Sequence, residues 1–157
     1  MAKTQLASTA YADVIRPGVK ALVLKAGGNV FHYAAAIEAT FERHFADLSG
    51  YECITTFASD LAIAECYGDN AILDTFDRVC DEWLPDYKFF TEFVLTLNWL
   101  SWFWHDHNEP DLSRLYADLY YEAEDKFFDH YRVAEGDSPE VKLEKNAATD
   151  YFFNTTD

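Results

Sequence analysis

Hydrophobic positions recur along most of the chain at intervals of three and four, the spacing of one face of an α-helix, and seldom alternate as a half-buried strand would. Asn29 is placed to cap a helix running to about Leu48, with Phe31, Ala35, Phe41, Phe45 and Leu48 on one broad side and Gly50 ending it. Thr55 or Thr56 is placed to cap a short helix reaching Tyr67, and Gly68 suits the left-handed position that follows. Asp69 or Asn70 then caps a helix over about Ala71 to Trp83. Aromatic density peaks from Tyr87 to about His105. There Phe89, Phe93, Leu97, Leu100 and Trp104 form one stripe, while Phe90, Val94 and Trp102 cover much of the remaining circumference, which predicts a central helix. Asn108 and Pro110 supply a cap and a first-turn proline for a last long helix carrying Leu112, Leu115, Tyr116, Leu119, Tyr120, Ala123, Phe127 and Tyr131, antiparallel to the central one.

The pattern predicts an all-α fold: one helical domain over residues 1–157, a bundle of five or six helices. Residues 136–157 read as an irregular tail and residues 1–28 as a mildly basic N-terminal segment. Strand signals are confined to Ala21-Leu22-Val23-Leu24 and Tyr151-Phe152-Phe153, two short apolar runs able to pair, although the first equally extends a helix after Pro17. The most hydrophobic window, Phe89 to Trp104, is interrupted by Glu92, Thr96, Asn98 and Ser101 and falls short of the roughly 20 apolar residues of a membrane span.

Composition sharpens this picture. In 157 residues, 50% hydrophobic and 17% aromatic content supports a substantial core and excludes disorder for most of the chain. Against 12 Lys and Arg stand 28 Asp and Glu, a net charge of −16. Such a field repels nucleic acid and anionic membranes, so neither is an expected direct partner. The charge is uneven: residues 1–28 carry +3, residues 29–87 carry −10 and residues 88–157 carry −9. The N-terminus lacks the apolar stretch of a secretory signal, which leads to an expectation of a cytoplasmic protein. Cys53, Cys66 and Cys80, an odd number without CxxC pairs, read as reduced core thiols.

The most informative polar pattern is acidic. Asp118, Glu122, Asp125 and Asp129 follow intervals of four, three and four, and Asp74, Asp77 and Asp81 repeat the spacing on an earlier helix. Each ladder sets carboxylates about 5–6 Å apart, close to the roughly 6–7 Å between phosphates along a nucleic-acid strand. Like charges so placed cost about 0.2–0.5 kcal/mol per pair. A solvated face of an acidic protein accounts for one ladder. Two ladders together point to a surface that stands in for a phosphate backbone and meets a partner's basic groove. Trp99 and Trp102 face differently from Trp104, which makes them candidates for a partner surface or a homodimer contact.

Other chemistry is thinly signalled. His105-Asp106-His107-Asn108-Glu109 offers ligand types, but residues two apart lie on different sides of a helix, and neither ExxH nor HExxH occurs. It reads first as a helix-end cluster, with His105, His107 and Glu109 as the alternative metal ligands of a hydrolase that activates water. His32, His44 and His130 have no spaced partners, no GxSxG is present, and Gly27-Gly28 lacks a phosphate-cradling context. No catalytic residue and no cofactor is expected.

The successions Phe57-Ala58-Ser59-Asp60-Leu61-Ala62-Ile63-Ala64, Ala71-Ile72-Leu73-Asp74-Thr75-Phe76, Thr91-Glu92-Phe93-Val94-Leu95-Thr96-Leu97-Asn98 and Leu115-Tyr116-Ala117-Asp118-Leu119-Tyr120 cover about half of the chain. With Gly68 and the ending Tyr151-Phe152-Phe153-Asn154-Thr155-Thr156-Asp157, this segment resembles small acidic proteins carried by phages and conjugative elements, from which Ser138 to Thr149 departs. The resemblance implies context: such elements carry acidic inhibitors of host restriction and CRISPR systems. The expected function is therefore a non-enzymatic inhibitor of a host nucleic-acid-targeting defence effector. The alternatives are the metal-dependent hydrolase and a phage structural or assembly protein.

Overall fold

The apolar spacing becomes seven helices in a computed structural model that describes residues 16–46 and 57–156. In chain order they are α1 (Pro17–Lys25), α2 (Val30–Ala46), α3 (Phe57–Glu65), α4 (Asp69–Trp83), α5 (Tyr87–Asp106), α6 (Pro110–His130) and α7 (Pro139–Thr156). Among the described residues no strand is present and no helix is long and apolar enough to cross a membrane.

Helix α5 is central because its neighbours cover most of its circumference. Phe90, Phe93, Val94, Leu97, Leu100 and Trp104 are fully buried, whereas Phe89 at its start is half-buried. Two of the buried polar residues inside this helix bond back to it: the Thr91 hydroxyl donates to the Tyr87 carbonyl at 2.7 Å and that of Thr96 to the Glu92 carbonyl at 2.8 Å. Asp86 caps α5 by accepting from the Phe89 amide at 3.3 Å. A tight turn then returns the chain into α6, which packs along α5; Ser101 and Ser113 clamp the pair by exchanging hydroxyl-to-carbonyl bonds of 3.0 and 2.7 Å.

Around this pair the other helices close the core. α3 packs against α2 and turns through Gly68, whose φ of 112° no side-chain-bearing residue adopts readily, into α4. Tyr131 at the end of α6 donates to the Leu84 carbonyl at 2.6 Å and fixes the α4–α5 turn. Phe152 of α7 stacks on Phe127 of α6, with ring centroids 4.4 Å apart. At the other end, the Gly18 amide donates to Glu109 at 2.6 Å and seats α1 against the start of α6; a Cβ on Gly18 would lie 2.5 Å from the Glu109 Cγ and displace that side chain.

The structure corrects several expectations. The helix count exceeds five or six because α1 and α7 are both formed. Ala21–Leu24 lies in α1 and Tyr151–Phe153 in α7, so the two runs do not pair as strands, and the segment 136–157, read as irregular, contains α7. The buried face of α2 is Tyr33, Ala34, Ile37, Phe41 and Phe45, leaving Phe31 71% exposed and Ala35 exposed. Aromatic size misled the register there: the helix turns its tyrosine inward. Asn29 caps α2 as expected, accepting from the Phe31 and His32 amides at 2.8 and 3.0 Å. Gly68, rather than Asp69 or Asn70, occupies the cap of α4, because Asp69 is held by Arg16. Asn108 has φ 62° and ends α5 instead of capping α6, whose cap is Glu109. Leu48, Gly50, Cys53, Thr55 and Thr56 lie outside the described residues.

These burial differences have measurable consequences. Phe93→Ala should lower unfolding free energy by about 3–5 kcal/mol in urea denaturation, because a large fully buried ring leaves a cavity. Phe31→Ala should stay within about 0.5 kcal/mol. Equal losses at the two positions would contradict the register of α2.

Candidate functional site

The interior holds a polar cluster at the junction of four helices. Glu65, the last residue of α3, is 4% exposed. Its Oε1 accepts from the Tyr33 hydroxyl of α2 at 2.5 Å; its Oε2 accepts from the Tyr116 hydroxyl of α6 at 2.5 Å and from the Trp104 indole N–H of α5 at 3.1 Å. Burial pushes the Glu65 carboxyl up to about 7, against the opposing pull of the three donors and of the Arg16 charge. Burial, and then the carboxylate, raise both phenols well above their ordinary value, so they remain donors. The Cys66 and Cys80 thiols, both pushed to about 12 first by burial, remain protonated and are unsuited to nucleophilic work. No signal in the sequence assigned Glu65 a role. The available one was an acid closing the apolar run Leu61-Ala62-Ile63-Ala64.

The surface acids behave differently. Asp118, Glu122, Asp125 and Asp129 of α6 and Asp74, Asp77 and Asp81 of α4 are all exposed. Beyond its burial, the Cys80 thiol feels Lys126, Asp77, Glu122 and Asp81, so these members of the two ladders lie around Cys80. The face is not purely acidic. Lys126 lies within it, Arg132 pairs with Asp129 at 3.0 Å, and Arg78 lies 3.8 and 3.7 Å from Asp60 and Glu82. A shallow cleft lined by Glu122, Asp125, Lys126, Phe128, Asp129 and Arg132 runs along α6.

No protein-family model, curated protein or solved structure matches the chain. The site therefore rests on its own geometry.

His105, His107 and Glu109 are not brought together. The His107 ring stacks on Phe103 at 4.1 Å with Nδ1 2.8 Å from the Phe103 carbonyl, His105 packs edge-on near Trp102, and Glu109 accepts from Gly18. Among the described residues no group of three His, Cys, Asp or Glu side chains is placed to hold a metal ion. Trp99 is half-buried against Phe41 and Phe103, whereas Trp102 is 61% exposed; both line a cavity of about 730 Å³ between α2, α5 and the end of α7. The candidate surfaces are thus two: the acidic face of α4 and α6, and the aromatic cavity away from it.

Glu65 imposes a pH dependence of known sign. A carboxyl raised in the folded state from 4.5 to about 7 stabilises fully below pH 4.5, and that contribution is lost as pH rises through about 7. The loss is on the order of 3 kcal/mol across that window. In Glu65→Gln, whose amide oxygen still accepts from Tyr116 and Trp104 while its NH2 donates to Tyr33, this decline in urea-measured stability should vanish. Tyr116→Phe removes a donor to the anion and should carry the decline above pH 7. Parallel profiles for wild type and Glu65→Gln would contradict this assignment.

Proposed function

We propose that the chain is a non-enzymatic acidic inhibitor that seats the α4/α6 face in the basic, nucleic-acid-contacting groove of a host restriction or CRISPR effector, within the host cytoplasm. The observation that supports this reading is the exposure of two carboxylate ladders, with Asp77, Asp81 and Glu122 gathered around Cys80, on a molecule of net charge −16. Carboxylates one helical turn apart repel each other in the free protein. A partner's Arg or Lys side chains remove that repulsion and replace the water stripped from each acid. A complementary field also accelerates encounter, and the gain falls as salt screens charges more than about 8 Å apart. The phage or conjugative origin implied by the resemblance fits the same role.

The metal-dependent alternative is less favoured, because Glu109 is engaged with Gly18 and His107 with Phe103. No observation favours a structural phage protein.

Expression of the chain in cells carrying single restriction or CRISPR systems, challenged with a targeted phage or plasmid, tests the reading. One system should be disarmed, and Glu122→Lys with Asp125→Lys should restore its activity at least tenfold. Glu140→Lys with Glu144→Lys, exposed on α7 and equal in charge change, should leave inhibition intact. Equal loss in both double variants would mean that the acids serve solubility.

A further inference from the structure

Helix α1 lies beside the Glu65 junction and is lightly held there. Just before its start, Arg16 pairs with Asp69 at the beginning of α4, four residues beyond Glu65, and the Gly18 amide donates to Glu109 at the cap of α6. Farther along, Leu22, Lys25 and Ala26 line a cavity of about 450 Å³ together with Tyr33 of α2 and Phe103 of α5. Tyr33 is the donor to one Glu65 oxygen, and Phe103 packs edge-on against Trp104, a donor to the other, at 5.1 Å. Only Val19 and Val23 of α1 are fully buried. The helix ends at Gly27-Gly28, whose φ values of 93° and 77° suit glycine and where open space stands in place of a side chain. That pair is a joint on which α1 can turn.

We infer that α1 is a pH-operated strap: as Glu65 ionises, α1 swings out on the Gly27-Gly28 joint and admits water to the junction while the rest of the bundle stays folded. A buried anion is costly, and the molecule relieves that cost where the fewest apolar contacts must part. Burial holds the carboxyl at about 7 in the closed form, whereas hydration returns it toward 4.5. Between these values each pH unit favours the open form about tenfold, up to about 300-fold in all, and the gain levels off above about 7. The Tyr33, Tyr116 and Cys66 groups beside Glu65 all stay protonated across this window. The Arg16 charge acts against opening, since it favours the anion in the closed form, and Asp69, Glu109 and Asp111 in turn surround Arg16. His107 and Lys25 line the cavity as well. The inference stands apart from the inhibitor reading, because it uses no residue of either ladder.

Amide hydrogen exchange of the full chain, followed by NMR from pH 5 to 8, tests it. A nine-residue helix released from its neighbours unravels, so opening exposes the amides of Val23, Leu24, Lys25 and Ala26. Their protection, taken relative to an unstructured chain, should fall about tenfold per pH unit between about 5 and 7 and then level off. Leu97 in α5 and Ala123 in α6 should stay better protected than α1 at every pH. In Glu65→Gln the protection of α1 should be independent of pH, which separates Glu65 from the titration of His107. Arg16→Gln should lower α1 protection several-fold at pH 5 and carry the decline above pH 7. Protection of α1 that is absent or constant, a decline that persists in Glu65→Gln, equal protection of α1 and α5, or an unaltered profile in Arg16→Gln would each overturn the inference.

Discussion

A single carboxyl group organises the interior. Glu65 ends α3 at a point where α2, α5 and α6 each present one donor, so the two tyrosine hydroxyls and one indole N–H have a common acceptor in the buried core. Removing any one partner leaves a buried polar group without its bond, which costs more than the bond contributes net. The cluster therefore specifies which residue of each helix faces inward. Tyr33 rather than Phe31 points into the core, Trp104 is the innermost tryptophan, and Tyr116 sets the rotation of α6 against α5.

That rotation has an outward consequence. With Tyr116, Leu119, Ala123 and Phe127 turned inward, Asp118, Glu122, Asp125 and Asp129 are all turned to solvent. The packing of Phe76, Val79 and Cys80 does the same for Asp74, Asp77 and Asp81 on α4. The acidic face is thus the reverse side of a core whose registry is fixed by Glu65. Two carboxyl groups, those of Glu65 and Glu92, are buried, while most of the acidic side chains face outward.

Much of this was legible in the sequence. Element type and the α5 stripe follow from the three-four spacing, because Phe93, Leu97, Leu100 and Trp104 repeat it without interruption. Both ladders could be read for the same reason, since acids at helical intervals on helices with a clear apolar stripe must face away from it. What failed depends on contacts between distant residues. Asp69 reads as a cap until Arg16, 53 positions earlier, holds it. Tyr151-Phe152-Phe153 reads as a strand until Phe127 and Tyr87 receive its rings in helical form. Glu65 looks like any helix-terminal acid, because its donors come from three separate helices.

The most direct test of this account is the titration of the Glu65 side-chain carboxyl by ¹³C NMR in the intact protein, assigned with Glu65→Gln. A midpoint near 7 is expected, with the Trp104 indole N–H and Glu65 shifting together as the anion forms. A midpoint near 4.5, with an indole signal indifferent to pH, would mean that water reaches the carboxylate. The four helices would then be held without the buried junction on which the structure depends.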